Sequence, residues 1–195
     1  MAVLHITAPS SVSVSGGTLS DPDPFAWVIV DPGAFYINTA SLLLTYAGGN
    51  STFVVNGMLL GARGALVCGQ NVVGGANTGD TNAIFISEAG QMGCMGSSAT
   101  LPTDAAITSY SGLLTLNNEG LISSVAVGVG MYGFGNAITN AGSISANGEG
   151  IIAYADEGVA SGRISNTGTI SSTTATGVLV NHGYIIENSG LITGA

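Results

Sequence analysis

Lysine is absent from this 195-residue sequence, and Arg63 and Arg163 are its only fixed positive charges. Against eleven acidic residues they leave a formal net charge of −9. A chain so short of cations carries no basic stripe to neutralise phosphates, which excludes nucleic acid and anionic membrane surfaces as partners. Charged residues are only 7% of the whole. Stable helices longer than a turn or two are excluded as well, because charges are few while Gly and Thr are frequent. No run of 18 uninterrupted apolar residues occurs, so no segment reads as a membrane-spanning helix. The opening Met1-Ala2-Val3-Leu4-His5-Ile6-Thr7 has neither a basic head nor a long apolar core. An ordinary secretory signal is therefore not legible, and export would use another route or follow removal of the signal. Cysteines number two, Cys68 and Cys94, at a spacing that matches no metal or redox motif. They either form a disulfide between neighbouring coils or serve as small buried hydrophobes.

What is abundant is glycine, at 31 residues, within a chain that is 46% hydrophobic. So much Ile, Val and Leu argues against disorder despite the glycine. The order is visible as a repeated phrase. It reads Leu-Asn-Asn-Glu-Gly-Leu-Ile at 116–122, Ile-Thr-Asn-Ala-Gly-Ser-Ile at 138–144, Ile-Ser-Asn-Thr-Gly-Thr-Ile at 164–170 and Ile-Glu-Asn-Ser-Gly-Leu-Ile at 186–192. Its glycines, Gly120, Gly142, Gly168 and Gly190, lie 22, 26 and 22 residues apart. A period of this size denotes stacked repeats, and the phrase itself spells strand, tight turn, strand. Looser versions centre on Gly33, Gly57 and Gly90, so about seven coils of 22–33 residues are expected. A further strand follows most marker glycines, introduced by Gly64, Gly128, Gly150 or Gly177, where a corner is expected to need positive φ. Three short sides per coil make the expected fold all-β, a single-stranded parallel β-helix or β-solenoid.

Residues 1–25 alternate weakly and reach Asp21-Pro22-Asp23-Pro24, which breaks any regular element, so they read as an entry strand and cap. The solenoid is expected over 26–195, with inserted loops near 73–81 and 96–104. Inserted loops of a solenoid gather on one face, and such a face often binds.

Candidate chemistry follows from stacking. In-register coils would place the residue two before each marker glycine in one column: Asp31, Val55, Glu88, Asn118, Asn140, Asn166 and Asn188. The last four would form a structural asparagine ladder, each amide donating to the next coil. Ile122, Ile144, Ile170 and Ile192 would line the core. Among the aromatics, Tyr132 and Tyr154 are candidates for sugar stacking, or else corner packing. Acids are scattered, and neither arginine is expected to have an acid at a matching coil position, so no catalytic cluster, metal site or cofactor is expected. Asp80, Glu88 and Asp104 would have to converge to restore one. His182 reads as a solvated turn residue, and His5 is far from it in sequence.

The Asn-x-Gly-x-Ile phrase resembles the β-strand repeats of large secreted bacterial β-helical proteins, such as autotransporter passengers and the N-terminal portions of RTX-type adhesins. The resemblance covers 113–195 well and 26–112 loosely, and it implies a right-handed parallel β-helix that is extracellular or at the cell surface. This chain is much shorter than such proteins and breaks off in mid-coil at Leu191-Ile192-Thr193-Gly194-Ala195. The expected function is a non-enzymatic structural solenoid. Its partner would be itself, stacked head to tail into filaments, or the rest of a larger chain whose adhesin stalk it forms. The alternatives are a carbohydrate-binding module facing surface glycans and, after that, a polysaccharide lyase or hydrolase.

Overall fold

The computed structural model describes residues 3–7, 11–14, 19–21, 27–40, 44–46, 50–69, 81–96, 104–110, 112–154, 162–181 and 183–195. Both loop insertions fall largely outside these residues, as do Asp80 and His182. The described residues contain short strands and turns and no helix. The strands sort into three parallel sheets of eight, eight and seven. Successive strands of the chain go to different sheets, and each pairs with its counterpart one coil away. The molecule is therefore a β-solenoid with three sides.

The first sheet includes Thr52–Val55, Ala83–Ile86, Thr115–Asn118, Ala137–Asn140, Arg163–Asn166 and Ile185–Asn188. It has eight levels, one more than the seven coils counted from marker glycines. The extra level comes from residues 1–25, whose Val3–Ile6, Ser11–Val14 and Leu19–Asp21 each pair with a strand of the next coil.

Four-residue strands that alternate outward and inward explain why so simple a phrase suffices. In Ala137–Asn140 the side chains of Ile138 and Asn140 point in and are 1% and 0% exposed, while Thr139 is exposed. Like then stacks on like: Leu116, Ile138, Ile164 and Ile186 stand in register in the first sheet. Ile122, Ile144, Ile170 and Ile192 do so in the second. Each full burial of such a side chain contributes about 1.5–3 kcal/mol, and one continuous core runs along the axis.

The glycines between first and second sheets answer to crowding between coils. A Cβ on Gly142 would stand 2.2 Å from the carbonyl oxygen of Gly120, and one on Gly168 only 2.1 Å from that of Gly142. The corner glycines differ from expectation. Gly64 has the expected positive φ (147°), but Gly128, Gly150 and Gly177 are not among the positive-φ residues. Their added Cβ would meet the next coil's backbone oxygen at 2.4, 2.5 and 2.6 Å, so close approach selects glycine there.

Candidate functional site

A regular polar column lies inside the molecule. Asn118, Asn140, Asn166 and Asn188 are the last residues of successive first-sheet strands and are paired in register. Each Nδ2 donates to the next Oδ1 along the axis: Asn118 to Asn140, Asn140 to Asn166 and Asn166 to Asn188, all at 2.7 Å. The second amide hydrogen serves backbone. Asn140 reaches the Thr169 carbonyl at 3.1 Å, and Asn166 reaches those of Gly168 and Leu191 at 3.2 and 3.3 Å. A buried carboxamide is tolerable only when its donors and acceptor are filled, and stacking fills them.

The ladder starts at Asn118, whose Oδ1 is buried with no partner among the described residues. The reason lies one coil back. Asn118 pairs with Ile86, and that column continues as Val55 and Val30. Asp31 and Glu88, expected in the column, are turn residues outside it. Two-residue turns join the sheets after Val55 and Asn118, whereas 31–34 and 87–90 are four-residue turns, so counting back from glycine misplaces the strand end. Gly33, with φ of 76°, is one of the two added turn residues, and Ala34 occupies the position that Gly57 and Gly90 take in later coils.

A second asparagine pair, unanticipated, seals the corner between third and first sheets. Asn82 Oδ1 accepts the Ser51 N–H at 3.1 Å and Asn136 Oδ1 accepts that of Leu114 at 2.9 Å, each across one coil. The phrase Asn-Ala-Ile at 82–84 and 136–138 was the available signal.

Tyr132 and Tyr154 stack on neighbours of their own chain. Tyr110 and Tyr132 have ring centroids 5.3 Å apart, and Tyr132 and Tyr154 5.9 Å. Both faces of Tyr132 are thereby covered, which leaves a sugar ring no access to them. The Tyr132 hydroxyl is buried with no partner among the described residues. Burial raises its pKa well above the ordinary tyrosine value, and Tyr110, Tyr154 and the Glu149 carboxylate add to the rise.

Cys68 and Cys94 are free and buried, so they act as small hydrophobes and form no disulfide. Burial pushes both thiols up. Contrary to expectation, both arginines meet acids one coil on. Arg63 Nε donates to Asp104 Oδ1 at 3.3 Å, and Arg163 donates to Glu187. His5 pairs with Asp31 at 2.8 Å. Glu88 is exposed in the turn between the first and second sheets, whereas Asp104 is buried just before a third-sheet strand, so these two acids do not converge. Among the described residues no three His, Cys, Asp or Glu side chains are grouped to hold a metal. No family description, curated protein or solved structure matches this chain.

Proposed function

We propose that this chain is a structural, non-enzymatic β-solenoid, secreted or surface-exposed, that extends along its own axis by head-to-tail stacking of copies or as the stalk of an adhesin. The observation that carries the reading is the asparagine ladder with its flanking isoleucine columns. Each coil offers the next the same hydrogen-bonding edge and the same apolar plug, so the axial direction is where the molecule is complementary to itself. The columns continue in register through Ile186 and Asn188. Sparse charge and the absence of Lys leave little repulsion at strand edges, where natural sheets commonly place it.

Sedimentation velocity and electron microscopy over a concentration series test this. The expected result is rods that lengthen with concentration, and loss of that growth in Ile186→Lys, which places a charge in the stacking column. Compact monomers at every concentration, with the variant indistinguishable, would overturn head-to-tail stacking.

A further inference from the structure

We propose that the corner between the third and first sheets carries a binding site for a neutral saccharide. Three outward residues, Thr52, Ala83 and Thr115, open successive first-sheet strands and stand in register. Ala83 contributes a single carbon between two threonines, and over this dip lies a depression of about 360 Å³. That volume falls within the range of small-molecule sites, ~300–1,000 Å³.

The lining determines what it takes. Asn50, Ser51, Thr81 and Leu113 join the two threonines in lining it, and among the described residues no ionisable side chain does so. Among these residues a charged ligand would find no counter-charge, whereas hydroxyls and carboxamides donate and accept alike, as a polyol requires. The wall is held in place: Asn50 Oδ1 accepts both the N–H and the hydroxyl of Thr81 from the next coil. A pre-organised wall loses little freedom on binding. Ser51 is 1% exposed, and its hydroxyl has no partner among the described residues, so the floor still has hydrogen-bonding capacity.

Leu113 is the second, independent pointer. Its φ is 62°, a left-handed conformation, and the equivalent positions of other coils hold Asn50 at 65° and Gly135 at 66°, residues that adopt it readily. Leucine does not, yet here it keeps its side chain 40% exposed beside a polar depression. Strain retained at an exposed position is a marker of function. An apolar wall facing hydroxyl donors suits a pyranose, which has a C–H face and hydroxyl edges. In the same outward column, one coil beyond Thr52, stands Trp27, 38% exposed. A second sugar extending along the axis would reach its indole.

Trp27 is the only tryptophan, so its fluorescence reports on the site. The full chain is titrated with cellotetraose, maltotetraose and chitotetraose as neutral probes and with tetragalacturonate as an anionic one, alongside calorimetry. Saturable binding of at least one neutral probe is expected, with the anionic probe about tenfold weaker or worse. Ala83→Phe fills the dip from the solvent side and should weaken binding about tenfold. Leu113→Asn relieves the strain and removes the apolar wall, so it should raise Tm while lowering affinity. No saturable response to any neutral probe, equal binding of the anionic one, or unchanged affinity in the folded variants would overturn the proposal. Either outcome leaves axial stacking untouched, because the site is formed within single molecules.

Discussion

A carboxamide suits the inside of this stack because it is donor and acceptor along the same axis. Asn140 both receives from Asn118 and gives to Asn166. Asn140→Ala therefore strands a donor and an acceptor in the interior, and urea unfolding should record a loss of about 2–3 kcal/mol, with no partner able to compensate from solvent. Tyr132 is the opposite case, a hydroxyl that is buried but unpaired. Tyr132→Phe should raise stability at neutral pH by about 1 kcal/mol. The same residue governs alkaline behaviour. Burial raises the pKa of Tyr132, and also of Tyr36, Tyr110 and Tyr184. The folded state keeps these protons where the unfolded chain releases them, above pH ~10. Stability is thus complete below that pH and falls as pH rises through it, and Tyr132→Phe should flatten the fall in a pH series of unfolding midpoints.

Among the elements, the turn between first and second sheets controls how far sequence reading could go. Where the turn has two residues, as at 119–120 and 141–142, the marker glycine sits at a fixed offset from the strand end and the ladder column was legible. Where it has four, at 31–34 and 87–90, the offset fails, and Asp31 and Glu88 were assigned to a column that Val30 and Ile86 occupy. Spacing in sequence records the turn glycine, while register obeys the apolar inward residue. The corner glycines were read as conformational when Gly128, Gly150 and Gly177 are steric, because crowding from a coil 16–27 residues away in sequence has no local signature. The steric account is directly testable. Gly142→Ala forces a methyl against the Gly120 carbonyl and should cost about 2–3 kcal/mol in chemical unfolding, whereas Ala34→Gly at the equivalent place should cost no more than about 1 kcal/mol. The tyrosine stack was half legible. The residues were singled out, but their mutual stacking depends on in-register pairing of Tyr132 with Tyr154, which their separation in sequence does not announce.

On the scale of the whole molecule, a repeat written in sequence becomes a translation in space, and everything inferred about function rests on that. The axial reading uses the identity of neighbouring coils. The saccharide site uses their departures from identity, at Ala83 and Leu113. Both require that equivalent residues lie one strand spacing apart. Ser145 and Ser171 are paired in register on the outer face of the second sheet, and Thr193 follows Ser171. Paired Cα atoms on adjacent strands stand ~4.8 Å apart, within disulfide reach, and residues two coils apart stand about twice as far, beyond it. The decisive measurement is therefore disulfide formation in two double variants under mild oxidation, read by mass spectrometry on monomeric protein. Ser145→Cys with Ser171→Cys should close to an intramolecular bond while Ser145→Cys with Thr193→Cys stays reduced. A reduced first pair, or equal closure of both, would contradict the stacking of like on like.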